Sequence, residues 1–252
     1  MEMTGNTILV TGGGTGIGRG LAEAFHKAGN KVIVTGRRTA AIEATVAANP
    51  GMAAMALDVA DPAAIAAFAP AVAAAHPGLN VVFHNAGIMR PENLLDGRPD
   101  AADAAATVAT NLLGPMRLTA ALLPHLRRQA SAAIMTVSSG LAFLPLAMTP
   151  AYCATKAAIH SYSQSLRYQL RDTAVRVFEI APPYVQTELM GPGQASDPRA
   201  MPLADFLAET MDLIAQNPDG GEILVERVKP LRFAERGPDY AAFFRQFNDA
   251  MH

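Results

Sequence analysis

A serine, a tyrosine and a lysine lie close together in the segment SSGLAFLPLAMTPAYCATK, residues 138 to 156. Tyr152 and Lys156 are four residues apart, so on a helix they share one face, one turn apart. A phenol with its ordinary pKa of about 10 is a poor acid–base catalyst near neutral pH, but a nearby cation lowers the pKa of an acid by about 1–3 units. Ser139 adds a hydroxyl that can hold an oxygen atom of a reactant. The segment therefore predicts a proton-transfer site in which Lys156 assists Tyr152.

A glycine-rich turn, TGGGTGIG at residues 11 to 18, follows the first apolar run of the chain. Glycines here allow a tight turn from strand to helix and a close approach of the backbone to a pyrophosphate. The free N–H groups at the start of the helix then bind the phosphates. The turn predicts a dinucleotide site, and the residues that we expect to contact the dinucleotide are Gly12, Thr15, Gly16, Ile17 and Gly18.

The residues after the second apolar run indicate which dinucleotide is bound. An acidic residue at this point binds the ribose 2′-hydroxyl of NAD, whereas arginine binds the 2′-phosphate of NADP. Gly36 stands where the acid would be, and Arg37 and Arg38 follow it. A guanidinium group can bind phosphate with two parallel hydrogen bonds. We therefore predict NADP(H) as the preferred cofactor, with NAD(H) as the alternative.

These motifs lie in a chain that alternates short β-branched runs with longer alanine-rich segments. The predicted strands are Thr7–Thr11, Lys31–Thr35, Met52–Leu57, Asn80–His84, Ala132–Val137, Val175–Ile180 and Glu222–Val228. The predicted helices are near 17–28, 39–48, 61–75, 101–128, 151–172, 201–216 and 237–250. Runs such as TILVT are apolar nearly throughout, as in strands that are covered on both faces. The pattern predicts an α/β fold: one doubly wound Rossmann domain over residues 1–252, with about seven parallel strands and helices on both faces.

The composition argues against several classes of function. With 50% hydrophobic residues, 17% charged residues and a net charge of −2, the chain has no basic run that would indicate nucleic acid as a partner. Cys153 is the single cysteine, and no two histidines have metal-ligand spacing, so we expect neither a disulfide nor a metal site. The start is a poor signal peptide, and Pro145 and Pro150 interrupt the longest uncharged stretch. We predict a cytoplasmic protein that is not inserted in a membrane.

The spacing TGxxxGxG in the glycine turn resembles that of the short-chain dehydrogenase/reductase family, and the resemblance continues along nearly the whole chain. Asp58 and Val59 match the pair with which the family contacts the adenine ring. Asn85-Ala86-Gly87 matches the family's Asn-Ala-Gly element after the fourth strand. The residues that match the family's catalytic positions are Asn111, Ser139, Tyr152 and Lys156.

The resemblance implies an oxidoreductase acting between a carbonyl compound and an alcohol. In it, Tyr152 exchanges a proton with the carbonyl oxygen as hydride is transferred, and Ser139 holds that oxygen. Lys156 also binds the nicotinamide ribose, and Asn111 braces a water that connects the lysine to solvent. Two other readings remain open: a protein that senses NADP(H) without turnover, and a relative acting on C=N or C=C bonds. The family resemblance also implies a homodimer or homotetramer, through the helices near 101–128 and 151–172.

The chain departs from the family after the sixth strand, where Pro182-Pro183 stands in place of the usual Pro-Gly. Pro182, Val185 and Thr187 are still expected to contact the cofactor. This variant, with the stretch GGEILVERVKPLRF, is similar to a bacterial subgroup associated with D-alanine transfer operons. The Gly- and Pro-rich segment Gln186–Pro202 predicts a substrate lid at about residues 186–204, with a merely solvated connection as the equally weighted alternative. The residues predicted to line the substrate pocket are Met89, Leu141, Phe143, Leu144, Met148, Tyr184 and Met190, with Arg90 and Arg199 as charged contacts.

Overall fold

The computed structural model describes residues 1–96 and 101–251, and within them the chain forms a parallel seven-stranded sheet. The strands are β1 (Thr7–Thr11), β2 (Lys31–Gly36), β3 (Ala53–Ala56), β4 (Leu79–His84), β5 (Ala132–Val137), β6 (Val175–Ile180) and β7 (Gly221–Ile223). Their order across the sheet is β3-β2-β1-β4-β5-β6-β7. The predicted doubly wound fold is confirmed.

Ten α-helices lie in the described residues. They are α1 (Gly16–Lys27), α2 (Thr39–Ala48), α3 (Pro62–Ala75), α4 (Ala101–Val108), α5 (Gly114–Leu126), α6 (Pro150–Gln169), α7 (Pro192–Ala195), α8 (Leu203–Gln216), α9 (Lys229–Arg232) and α10 (Tyr240–Asp249). Helices α1, α2 and α8 pack on one face of the sheet, while α3, α5 and α6 pack on the other.

The nearly continuous apolar strands are explained by these two helical layers. In β1, Ile8 and Val10 belong to the core beneath α1 and α8, whereas Leu9 between them belongs to the core beneath α3 and α5. Because successive side chains of a strand point to opposite faces, a strand covered on both faces needs apolar residues at every position. All six residues of β5 are buried for the same reason.

The strand order reverses between β1 and β4, which lie side by side although β2 and β3 separate them in sequence. Chains that leave these two strands diverge to opposite faces of the sheet, and a crevice opens at their carboxyl ends. The glycine turn follows β1 and Asn85-Ala86-Gly87 follows β4, so both motifs lie at this crevice.

Two predicted elements differ from the structure. The helix expected over 101–128 consists of α4, a π-helical turn at Ala109–Leu113, and α5. Pro115 has no N–H to donate to the preceding turn, which favours the wider turn before it. The last strand is shorter than expected, since Glu226–Val228 forms a 3₁₀ turn.

Among the described helices, none combines the length and the apolar character that a bilayer crossing requires.

Candidate active site

The glycine turn is packed tightly against the segment that follows β4. Gly12 has a φ of +67°, and a Cβ built on it would lie 2.9 Å from the Cα of Ala86. Gly18 has no room for a side chain, because a Cβ there would overlap Asn85 Nδ2 and the Gly12 carbonyl oxygen. The backbone itself therefore forms the floor of the crevice, as a pyrophosphate site requires.

Thr11, the last residue of β1, ties the two sides of the crevice together. Its hydroxyl donates to the Phe83 carbonyl at 3.3 Å and accepts from the backbone N–H groups of Asn85 and Ala86, each at 3.1 Å. The side chain of Asn85 also binds the glycine turn, since its Nδ2 donates to the carbonyl oxygens of Thr11 and Gly12 at 3.1 and 3.2 Å. The sequence analysis passed over Thr11 as a site residue, since a threonine at a strand end has no distinctive local signal.

The start of α1 and the end of β2 form one positively charged rim. Thr15 is the N-cap residue of α1, and no acidic residue follows in the first turn of that helix. Both Arg37 and Arg38 are exposed after β2, and Arg38 Nη2 donates to the Thr15 hydroxyl at 3.4 Å. Backbone N–H groups and guanidinium groups thus face the same region, a combination that binds phosphate.

Two other predicted cofactor residues are placed beyond β3. The Asp58 carboxylate accepts from the backbone N–H of Ala60 at 2.9 Å, so it shapes its own turn. Val59 is buried against Gly114, where an added Cβ would lie 2.6 Å from the Val59 carbonyl oxygen. Ile17, a further predicted cofactor residue, packs on the core that α1 and α8 cover, on the other face of the sheet from Val59.

Ser139, Tyr152 and Lys156 meet beside this crevice, each at most 7% exposed. Ser139 follows the end of β5, and its side-chain oxygen accepts from the N–H of Leu141 at 3.1 Å. Lys156 Nζ lies 5.4 Å from the centroid of the Tyr152 ring and donates to the Val137 carbonyl at 2.8 Å. The expected neighbourhood of the three side chains is therefore present in the structure.

In the absence of cofactor, burial is the main influence on the pKa values of Tyr152 and Lys156. It raises the pKa of Tyr152 above its usual value, and a hydrogen bond with the Ser139 hydroxyl opposes that rise without cancelling it. Burial also lowers the pKa of Lys156 to about 8, because an ammonium ion loses its hydration in the interior. Tyr152 therefore holds its proton at neutral pH in the cofactor-free protein, and a tyrosine pKa lowered by Lys156 together with the oxidised nicotinamide stays a prediction for the cofactor-bound protein.

Asn111 lies in the π-helical turn, and its side chain supports the chain after the Asn-Ala-Gly element. Its Oδ1 accepts from the N–H of Ile88 at 2.9 Å, while Nδ2 donates to the carbonyl oxygen of the same residue at 2.8 Å. A weaker bond of 3.3 Å reaches the Thr155 hydroxyl, which in turn donates to the Tyr152 carbonyl at 2.7 Å. Asn111 thus connects the segment after β4 to the first turn of α6.

Asn111→Leu is expected to lower the free energy of unfolding by about 1–3 kcal/mol, because both backbone groups of Ile88 lose their partner in a poorly hydrated place. Urea denaturation without cofactor measures the change. Asn217→Leu is the matched control, because Asn217 is exposed at the end of α8 and should shift stability by no more than about 0.5 kcal/mol. Equal effects of the two substitutions would contradict the supporting role of Asn111.

The segment after β6 closes back on the glycine turn. The Pro182 carbonyl accepts from the N–H of Gly140 at 2.9 Å, and Thr187 lies against Gly16, at 3.6 Å from a Cβ built there. Gln194 in α7 holds this segment, since its Nε2 donates to the Val185 carbonyl at 2.8 Å and to the Thr187 hydroxyl at 3.1 Å. Gln194 was missed by the sequence analysis, because its partners lie seven and nine residues away in an irregular loop.

The Gln186–Pro202 loop is pinned at its base. Val185 and Met201 form a β-bridge, and the N–H of Gln186 donates to the Met201 carbonyl at 2.9 Å. Within the loop, the Asp197 carboxylate accepts from Arg199 at 2.8 Å and from the Tyr184 hydroxyl at 3.1 Å. Leu189, Met190 and Gln194 in the middle of the loop line the same pocket as Tyr152.

A mostly apolar pocket opens next to Ser139 and Tyr152. Its other lining residues are Met89, Leu141, Leu146, Pro183, Tyr184, Leu189, Met190, Gln194, Leu231, Phe247 and Met251. Four of the seven predicted apolar residues are among them: Met89, Leu141, Tyr184 and Met190. The two predicted charged contacts are engaged elsewhere, since Arg90 pairs with Asp103 and Arg199 pairs with Asp197.

The other three predicted pocket residues, Phe143, Leu144 and Met148, are not part of the pocket lining. Leu144 is fully buried, and Met148 packs on the small core around Leu146 and Cys153. The Phe143 ring lies 4.7 Å from His160, centroid to centroid, and 4.4 Å from the guanidinium carbon of Arg232. Of the stretch between Ser139 and Tyr152, Leu141 and Leu146 line the pocket.

His160 and Arg232 belong to a buried charge network behind the site. His160 Nδ1 lies 2.9 Å from both carboxylate oxygens of the fully buried Glu179. Arg232 binds Glu222 through two hydrogen bonds, of 2.5 and 2.9 Å, and holds the pKa of that carboxyl below its usual range. Atoms that could bind a metal lie within 4.8 Å of one another in His160, Glu179 and Glu222. One of these carboxylates, Glu222, is already paired with Arg232. Histidine spacing could not reveal this group, because its members come from α6, β6 and β7.

Comparison with known proteins agrees with this geometry. A model of short chain dehydrogenases matches residues 6–197. The chain is 40% identical over 251 residues to the uncharacterized oxidoreductase DltE of Bacillus subtilis strain 168, and the match covers 98% of each protein. The chain belongs to the short-chain dehydrogenase/reductase family. Its similarity to DltE also confirms the subgroup that the sequence indicated.

Solved structures of short-chain dehydrogenases have the same fold. The structure of a short-chain dehydrogenase/reductase from Burkholderia phymatum in complex with NAD has a TM-score of 0.81 at 22% identity, covering 94% of this chain and 95% of that one. A metagenomic short-chain oxidoreductase in complex with NADP has a TM-score of 0.73 at 29% identity, covering 88% of this chain and 97% of that one. Members of the family with this architecture therefore hold either dinucleotide, and the choice depends on local residues.

Proposed function

We propose that this oxidoreductase reduces a ketone or aldehyde to an alcohol, or catalyses the reverse reaction, with NADP(H) as cofactor. The observation that carries the proposal is that the buried side chains of Ser139 and Tyr152 line the same apolar pocket, with Lys156 Nζ 5.4 Å from the centroid of the Tyr152 ring. Two hydroxyl groups that meet at one point are suited to bind a single carbonyl oxygen.

In carbonyl reduction, each side chain of the site has a separate role. When bound, the nicotinamide supplies the hydride. Ser139 donates a hydrogen bond that positions the carbonyl oxygen, and Tyr152 then transfers its phenolic proton to that oxygen. Lys156, held at the Val137 carbonyl, binds the nicotinamide ribose and stabilises the phenolate that remains. Asn111 keeps the segment after β4 in place beside the crevice.

The residues around the crevice fit a phosphorylated dinucleotide. The backbone of the glycine turn would bind the pyrophosphate. The residues that would hold the adenine and nicotinamide halves of the dinucleotide are Asp58, Val59, Asn85, Ala86, Gly87, Pro182, Val185 and Thr187. Arg37 and Arg38 are exposed at the rim, and the first turn of α2 has no acidic residue to pair with them. Two cations near the positive end of a helix are unfavourable without an anion, which supports a 2′-phosphate there.

Arg37→Asp and Arg38→Asp are each expected to weaken NADPH binding by about tenfold to a hundredfold and to leave NADH binding unchanged or tighter. A charge-assisted hydrogen bond contributes about 1.5–3 kcal/mol, and the new carboxylate repels the phosphate. Fluorescence titration with both cofactors measures the change. Arg127→Asp, an exposed arginine at the end of α5, is the matched control and should affect neither cofactor. Tighter NADH than NADPH binding in the unaltered protein would refute the NADP assignment.

A screen of NADPH consumption over ketones, aldehydes, quinones, sugars, imines and activated alkenes tests the reaction class. We expect turnover with ketones or aldehydes. Turnover confined to imines or alkenes would move the reaction to C=N or C=C bonds. Tight NADPH binding without turnover of any compound would instead support a cofactor-sensing protein.

A further inference from the structure

The walls of the pocket contain almost no group that is free to bind a polar substrate. Apart from Ser139 and Tyr152, the polar side chains that line it are Gln194 and Tyr184, within the part of the chain that the structure describes. Gln194 uses Nε2 for Val185 and Thr187, while its Oε1 accepts from the N–H of Met190 at 3.0 Å. Both polar atoms of the Gln194 amide are therefore hydrogen-bonded within the loop, and the amide has little remaining capacity to bind a ligand.

Charges near the pocket are neutralised and turned away from it. The Tyr184 ring lines the pocket, but its hydroxyl donates to Asp197, which is already paired with Arg199. Glu92 is directed to α6, since its Oε1 accepts from the N–H of Ala151 at 3.0 Å. No charged side chain among the described residues lines the pocket. A charged group on a substrate would lose its hydration there without gaining a partner.

The C-terminal helix α10 forms one wall. Phe247 and Met251 are four residues apart, both line the pocket, and both pack on the small core around Tyr152 and Cys153. Phe247 belongs to α10 and Met251 to the turn that follows it, so the end of α10 and this turn together present an apolar surface to the substrate space.

A buried asparagine fixes α10 to the segment that follows Ser139. Asn248 is 7% exposed, its Oδ1 accepts from the N–H of Ala147 at 2.6 Å, and its Nδ2 donates to the Pro145 carbonyl at 3.2 Å. The Gln186–Pro202 loop reaches the same helix end, because Arg199 Nη1 donates to the Ala250 carbonyl at 3.3 Å. Phe247 and Met251 thus have defined positions between the two segments.

From these observations we infer that the substrates are uncharged and mainly apolar carbonyl compounds, and that Phe247 and Met251 on the C-terminal wall select them. The inference rests on the proposed carbonyl reduction and specifies its substrate class. The mostly apolar lining suits a small aryl, alicyclic or medium-chain ketone or aldehyde. Sugars are excluded by the same walls, since most of their hydroxyl groups would be buried without partners.

Matched pairs of ketones test the inference: acetophenone against 4-acetylbenzoate, and 2-octanone against 7-oxooctanoate. We expect kcat/KM to be about a hundredfold higher for the neutral member of each pair. Met251→Arg should lower the preference at least tenfold, by pairing the carboxylate and by removing apolar wall. Gln246→Arg adds the same charge at an exposed neighbouring position of α10 and should leave the preference unchanged.

Binding of the same ketones to the NADPH-loaded Tyr152→Phe protein, measured by calorimetry, separates the two proposals. Tighter binding of the neutral members supports the apolar pocket even if no ketone is turned over by the unaltered protein, a result that would refute only carbonyl reduction. Equal or tighter binding of the carboxylates would overturn the substrate inference, whatever the activity. An equal response to Met251→Arg and Gln246→Arg would overturn the role of the C-terminal wall.

Discussion

Replacement of Tyr152 by Phe should reduce kcat for carbonyl reduction by about 10²–10⁴-fold, the usual contribution of a positioned general acid. The ring remains in its buried place, and the substitution removes only the hydroxyl that contacts Ser139. NADPH affinity should change less than threefold, and the free energy of unfolding by about 1 kcal/mol or less. Steady-state kinetics with the best substrate, NADPH titration and urea denaturation measure the three quantities.

Tyr162→Phe is the matched control for this experiment. Tyr162 lies on the same helix, α6, and is hydrogen-bonded to Thr119 instead of Ser139. Its substitution should leave kcat within twofold. If Tyr152→Phe retained more than about a tenth of the activity, the proton would have to come from another group, and the proposed role of Tyr152 would be wrong.

Lys156→Met should also abolish most of the activity, and it should change how stability depends on pH. Burial lowers the pKa of Lys156 from its usual 10.5 to about 8. Between these two values the unfolded chain binds more protons than the folded protein, so this lysine makes the wild type more stable as the pH rises. Below about pH 8 both states hold the proton, and the folded state carries the full cost of the buried ammonium ion. The Met variant lacks this pH dependence.

From pH 7 to pH 9.5, the free energy of unfolding of the wild type is therefore expected to rise by about 2 kcal/mol relative to that of Lys156→Met. Urea denaturation of the cofactor-free proteins at several pH values measures it. Lys27→Met serves as the control for the loss of one lysine, because Lys27 is exposed at the end of α1. A constant difference for Lys156→Met would mean that Lys156 is not buried as an ammonium ion.

Short-range patterns in the sequence determined much of this protein. β1, β5 and β6 begin and end at the predicted residues, because each is an apolar run bounded by polar or turn-forming residues. The glycine turn, the Asn-Ala-Gly element and the Tyr152–Lys156 pair were recognisable for a similar reason. Their chemistry depends on residue type and on spacings of a few residues, and a parallel sheet necessarily brings the ends of β1, β4 and β5 to one edge.

Long-range packing decided the rest. The wall formed by α10 faces a segment about a hundred residues earlier in the chain, and only the folded protein shows that Asn248 joins them. The same holds for the pairing of His160 with Glu179, and for the raised tyrosine pKa, which depends on how completely water is excluded. The sequence by itself determined the fold and the proposed reacting groups, since both depend on local pattern. The tertiary structure alone decided the shape of the pocket and the electrostatics of the site, because these depend on which distant surfaces exclude water together.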